Sequence, residues 1–293
     1  MRTIPTLLAL SLIQASAHAA VLFADTFDRA DSNNIDASLS GITDNTGSSL
    51  AADGVYLHGQ IDPNAAHPTY GAPDGNAVNG GGTRILGNQY QLKYGSGTVS
   101  TYVNHNFTNG AILAAGGFSV SLDVMGYSQA TGVQHGAAFG IGMTALEAAS
   151  TRDAIGGGAL NQPHMAGAFT SYTGTVVSDF WLGIRPDATI AWGSGTVTLG
   201  TASVAAKTGT LSAVFTVPDF NASTNVGFQV FYNDVSQGTG SFAWSDTGAN
   251  YIGLDGRDGT SIALDNLSIE TVPEPATAAL GLLGSVALLR RRR

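Results

Sequence analysis

The residue types that most often carry chemistry are sparse in this chain and poorly spaced for it. The only glutamates are Glu147, Glu270 and Glu274, and there is no cysteine. A glycosidase working through two carboxylates needs a nucleophile or base and a raised-pKa acid flanking one bond. Glu147 has no acidic neighbour nearer than Asp153, and Glu270 sits beside the tail that begins at Val272. Aspartates could substitute, but none are paired at strand spacing along a central strand, and Asp255-Gly256 and Asp258-Gly259 read as turns. The histidines beyond the leader, His58, His67, His105, His135 and His164, show neither His-x-His nor His-x3-His spacing. A zinc site would have to be assembled from separate loops, with His67 and His164, each beside a proline, as its first candidates. No Gly-x-Ser-x-Gly elbow marks a serine hydrolase. Gly140-Ile-Gly-Met-Thr-Ala145 lies in a strand pattern without a βαβ context, so its glycines read as backbone packing and not as a dinucleotide loop. The chain reads as non-catalytic.

Binding is the gentler possibility. Sugars stack on aromatic planes flanked by Asp and Asn. Trp181, Trp192, Trp244 and Tyr232 stand among alternating apolar residues and are assigned to the core, whereas Tyr70, with Asp74 and Asn76 in a long loop, is the candidate glycan contact.

Positioning falls to strands. Thirty-nine glycines, with many Thr, Ser and Asn, disfavour helix and favour short strands joined by tight turns. In Gly117–Val124, Phe118, Val120, Leu122 and Val124 share one face and Ser119, Ser121 and Asp123 the other, the pattern of a half-buried antiparallel strand. Similar runs recur at 137–143, 180–185, 189–192, 196–199, 211–217, 226–232 and 261–269, with earlier ones at 55–57, 89–92 and 99–107. Turn signals such as Pro186-Asp187, Pro218-Asp219 and Asn233-Asp234 separate them. The predicted fold is all-β, an antiparallel sandwich in one domain over residues 20–271. The one helical turn expected lies around Thr144–Asp153, and 64–82 and 156–165 read as long loops.

The ends carry addresses. Arg2, an apolar run from Ile4 to Ile13 and Ala17-His18-Ala19 form a signal peptide over residues 1–19, cut by signal peptidase between Ala19 and Ala20. At the other end, residues 272–293 comprise Val272-Pro273-Glu274-Pro275, an apolar stretch from Ala276 to Leu289, and Arg290, Arg291, Arg292 and Arg293. Fourteen residues make about 21 Å of helix at roughly 1.5 Å each, short against a hydrocarbon core of about 30 Å. The arginines belong on the cytoplasmic side, which places the domain across the membrane. Between the two signals, seven basic and 20 acidic residues leave a net charge of −13, which excludes nucleic acid as a partner. Without cysteine, an exported fold must hold by packing, hydrogen bonds or bound ions.

The tail resembles the C-terminal sorting signal of the PEP-CTERM family of exported bacterial proteins. That resemblance implies a short membrane helix before processing, recognition by an exosortase-like membrane protease near Pro273–Pro275, and a destination at the cell surface or in an extracellular polysaccharide or biofilm matrix. The opening Leu22-Phe-Ala-Asp-Thr-Phe-Asp-Arg-Ala-Asp-Ser32 and closing Ile262-Ala-Leu-Asp-Asn-Leu-Ser-Ile269 resemble the first and last strands of concanavalin A-like and laminin-G-like jelly rolls, with 180–190 and 225–234 similar to their central hairpins. In that fold the first and last strands lie side by side. The resemblance therefore implies that Asp25 or Asp28 approaches Asp265 and, with backbone carbonyls, holds a structural calcium ion. The alternative reading has Asp28 and Asp31 shaping their own loop while Asp265 faces solvent.

Overall fold

The computed structural model describes residues 19–32, 34–52, 54–58, 82–93, 99–106, 108–127, 136–145, 178–185, 187–195, 197–257 and 261–272. In chain order the elements are β1 (Val21–Asp25), β2 (Ile42–Asp44), β3 (Tyr56–His58), β4 (Gly82–Ile85), β5 (Tyr90–Lys93), β6 (Val99–Asn104), α1 (Gly110–Ala115), β7 (Gly117–Tyr127), β8 (Gly136–Met143), β9 (Phe180–Ile184), β10 (Thr189–Ser194), β11 (Val197–Ser203), β12 (Gly209–Thr216), β13 (Asn225–Tyr232), β14 (Val235–Ala243), β15 (Tyr251–Arg257) and β16 (Ser261–Thr271). Two antiparallel sheets face each other. The first runs β14-β13-β12-β7-β16-β1-β2, with β5 pairing β16 and β4 pairing β5; the second runs β11-β10-β9-β8-β15-β6-β3. The chain crosses between sheets repeatedly, and the result is the expected jelly-roll sandwich.

Side-chain alternation builds the core. Phe118, Val120, Leu122 and Val124 of β7 are buried, as are Leu211, Ala213 and Phe215 of β12 and Val226, Phe228 and Val230 of β13. These residues meet Phe139, Ile141, Phe180, Leu182 and Ile184 of the second sheet in one apolar cluster. Phe180 packs its ring 5.1 Å from Phe215, 4.9 Å from Phe228 and 5.5 Å from Phe242, so aromatic contacts bridge the sheets. Strands β8 and β9 are buried at every position, on both faces, which suits the Ala and Gly content of β8.

One parity change matters for function. Along β16 the buried set is Ile262, Leu264, Leu267 and Ile269, so the inward face switches from even to odd numbers. The switch is a β-bulge: Asp265 opposes Asp123 and Ser268 opposes Ser121, so Asn266 and Leu267 of β16 stand against Leu122 alone of β7. Asn266 takes φ 48°, a left-handed conformation that Asn tolerates better than most residues.

The structure departs from expectation at several elements. Helix α1 was not expected; of the helical turn expected at 144–153 only Thr144 and Ala145 fall within the described residues, and Ala145 is helical. Asn109 caps α1 by accepting the Ala111 N–H at 2.8 Å, and Gly116 closes it at φ 78°. Asp255-Gly256 lies inside β15, paired with Ser100 and Val99 of β6, and is not a turn. Strands β14 and β15 were not expected at all.

Candidate functional site

Asp123 of β7 faces outward from the first sheet, and β12 brings Thr210 beside it: the Thr210 hydroxyl donates to Asp123 Oδ1. From the other side the bulge of β16 turns two consecutive residues outward. Asn266 Nδ2 donates to Asp123 Oδ2 at 2.9 Å, and the Asn266 N–H donates to Asp265 Oδ1 at 2.9 Å. Cross-strand partners have Cβ atoms about 4.5–5.5 Å apart, so the two carboxylates are direct neighbours. Burial pushes the Asp265 carboxyl above its ordinary pKa; the Asn266 N–H opposes this, and the charges of Asp123, Asp28 and Asp25 add to it. Beside this cluster Asp123, Val124, Met125, Thr208, Gly209 and Thr210 line a groove of about 310 Å³. Met125 is 46% exposed, an apolar side chain standing beside fixed polar groups. The set combines acceptors, an amide and a hydroxyl with an apolar surface, a chemistry suited to a hydroxyl-rich ligand.

The region expected to hold calcium is built differently. Strand β1 does pair with β16, Asp25 opposite Leu267, as the first and last strands of such a fold should. Asp25, however, is fully buried and faces the other sheet. Its Oδ1 accepts the Phe27 N–H at 2.7 Å and Arg29 Nη1 at 2.9 Å; its Oδ2 accepts Arg29 Nη2 at 2.7 Å and the Tyr56 hydroxyl. Four donors fill the lone-pair sites of a carboxylate. Burial raises the Tyr56 pKa well above its usual value and the charge of Asp25 raises it further. Burial pulls the Arg29 guanidinium down, but the hydrogen bonds and charge of Asp25 outweigh it and hold Arg29 above its usual pKa. Asp25 thus does not fit a calcium ligand, and among the described residues no group of three or more His, Asp or Glu is placed to hold a metal ion. Asp31 does not shape its own loop either: its Oδ1 accepts the Gly87 N–H, 56 residues away, at 2.8 Å.

No protein-family model matches the chain, and no curated protein does. Solved structures do resemble it. The metal-free carbohydrate recognition domain of Emp46p is 9% identical over 65% of this chain and 86% of its own length, with a TM-score of 0.40. The legume lectin-like domain from Entamoeba histolytica is 14% identical over 77% of this chain and all of its own, with a TM-score of 0.38. A sialidase is 10% identical over 66% of this chain at a TM-score of 0.40, yet the match spans only 16% of the sialidase. These are likenesses of strand arrangement.

The remaining candidates divide cleanly. Trp181, Trp192, Trp244 and Tyr232 are buried, as the alternation around them implies. His105 is buried against the Phe23 ring, centroids 5.7 Å apart, and so belongs to the core. Tyr70, Asp74, Asn76, His67, His135, His164, Glu147, Ala17, the Pro273-Glu274-Pro275 motif and the four terminal arginines lie outside the described residues. Of the residues flanking the expected signal cleavage, Ala20 is bonded in both directions to Thr271: the Ala20 N–H donates to Thr271 Oγ1 at 2.9 Å and the Thr271 N–H to the Ala20 carbonyl at 2.9 Å. Sequence reading missed the Asp123–Asp265–Asn266 cluster, because Asp123 and Asp265 are joined by register and not by proximity in the chain. The one local signal was Asp265-Asn266, two turn-forming residues interrupting the alternation of a terminal strand.

Proposed function

We propose that this chain is a non-catalytic, exported surface or matrix protein that holds an extracellular glycan at the groove beside Asp123. In this reading signal peptidase cuts after Ala19, the tail holds the protein at the membrane, and an exosortase-like protease recognises Val272-Pro-Glu-Pro275. The support for export is the order of motifs at the two ends of the chain. The observation that carries the binding assignment is the groove itself: Asp123 fixed by Thr210 and Asn266 beside exposed Met125. Bidentate carboxylate and amide groups are well matched to adjacent sugar hydroxyls, and an open groove of this size accommodates part of a polymer.

A second reading has one specific observation behind it. A carboxyl whose pKa is raised by burial beside a second carboxyl is the kind of pair a general acid comes from, so Asp265 with Asp123 would serve a glycan-cleaving enzyme. Against it, both oxygens of Asp123 already accept hydrogen bonds. One assay separates the two. Extracellular polysaccharides passed over the immobilised protein are retained intact, and Asp123→Ala loses roughly tenfold or more in affinity, on the order of 1.4 kcal/mol. Release of reducing sugars that stops in Asp265→Asn would establish the enzyme instead, and absence of any retention would remove the binding assignment.

A further inference from the structure

We infer that Arg29 is a resident cation that takes the place of a metal ion in the loop between β1 and β2, and that the sandwich is consequently independent of calcium. The guanidinium gathers the ligand types a calcium ion would take, namely a bidentate carboxylate and backbone carbonyls. Nη1 and Nη2 bind both oxygens of Asp25 at 2.9 and 2.7 Å, Nε donates to the Ile35 carbonyl at 2.6 Å, and Nη1 donates also to the Ser40 carbonyl at 2.9 Å. The ion pair is shut away from water, its side chains 2% and 0% exposed. Arg29 stacks 5.4 Å over the Phe27 ring, and Phe27 itself is held at φ 52° with its N–H on Asp25.

The cluster spans both sheets. Asp25 belongs to β1 and Tyr56 to β3, and the loop between them is further pinned by Asp36 Oδ2, which accepts the N–H groups of Val55 and Tyr56 at 3.0 Å each. A guanidinium suits this position better than an ammonium, because its planar fork satisfies the carboxylate while its remaining N–H groups reach two carbonyls on different turns of the loop. A metal in the same place would be repelled by Arg29 and would find the oxygens of Asp25 already occupied. The Arg29 cluster lies inside the sandwich, apart from the groove at Asp123, so the inference stands whether or not a glycan binds there.

The test uses the full chain and thermal unfolding. The wild-type Tm is the same with millimolar calcium as with a chelator. Arg29→Ala lowers it by on the order of 10 °C, as loss of one partner of a buried pair does, and low-millimolar guanidinium restores part of the loss where equal sodium chloride or urea does not. Should Arg29→Ala not accumulate, Arg29→Lys gives the same reading through an intermediate Tm that calcium leaves unmoved. A calcium-dependent rise in the wild-type Tm, or a wild-type Tm in Arg29→Ala, would overturn the inference.

Discussion

Among the described residues, His105 is one through which acidity should act on this fold. Burial holds its pKa down at about 4, and the negative charge of Asp44 opposes that only in part. In the unfolded chain an imidazole titrates near 6.5. As pH falls below 6.5 the unfolded state therefore takes up a proton that the native state refuses until about pH 4, and stability declines across that window before levelling off below it. By pH 5 the loss from this one group is about 2 kcal/mol. Urea unfolding at pH 7 and pH 5 measures it, and His105→Leu should remove most of the difference; an equal pH dependence in the variant would exonerate the histidine. The same scale shows what a one-dimensional reading could and could not supply. Arg29 stands four residues after Asp25 within the quoted opening motif, so an ion pair was readable there, but a bare carboxylate count favours a metal until the fate of each lone pair is known. Asp265 is the opposite case: nothing near it in the chain announces Asp123, and only the ladder register brings them together.

Strands with one wet and one dry face were legible because their side chains alternate, and β7, β12 and β13 follow that alternation closely. Edge strand β14 was not, because Ser236, Thr239, Gly240 and Ser241 are all exposed and only Phe242 is buried among its closing residues. Its two-residue turn from β13 was visible as Asn233-Asp234, both with positive φ, 46° and 62°, the type I′ geometry that matches strand twist. Helix α1, six residues long, is too short for a 3.6-residue period to register. At the open edge of the sandwich the two outermost strands close over one ring. A Cβ at Gly200 of β11 would stand 2.2 Å from Trp192 Cζ2, and one at Gly238 of β14 would stand 2.4 Å from the same atom. Both glycines are therefore small because Trp192 lies between the edges. Gly238→Ala should cost about 1–3 kcal/mol through overpacking, whereas Gly227→Ala, whose Cβ would meet Thr216 Cβ at an ordinary 3.7 Å, should cost much less. A double-mutant cycle of Gly238→Ala with Trp192→Leu should recover part of the loss. Full additivity in the cycle would show that the ring is not what excludes the methyl group.

Taken as a whole, the molecule begins and ends its sandwich at one pole. Ala20 and Thr271 exchange hydrogen bonds at the start of β1 and the end of β16, and the Val272 N–H donates to the Gly117 carbonyl at the start of β7. Register carries that pole across the sheet: Gly117 opposes Thr216, Thr216 opposes Gly227, and Asn225 opposes Ala243. The turn after Tyr232 and the groove near Gly209 lie toward the other end, with Asp123 six residues along β7 from Gly117, about 20 Å at strand rise. In the proposed tethered form, attachment through residues that follow Val272 would hold Asn225 toward the bilayer and present the groove away from it, where the proposed extracellular polymer would reach it. Because the chain has no cysteine, single reporters can be placed without background. With the full chain reconstituted in vesicles, a fluorophore on Asn225→Cys should be quenched by spin-labelled lipid headgroups several times more than one on Val235→Cys, the two sites being separated by the length of β13, about 25 Å. Quenching falls away when a protease removes the tail, because the orientation is imposed by the tether and not by affinity of an acidic surface for lipid. Equal quenching at the two positions would mean that the domain tumbles freely on its tail, and stronger quenching at 235 would place the groove against the membrane and deny it to an extracellular polymer.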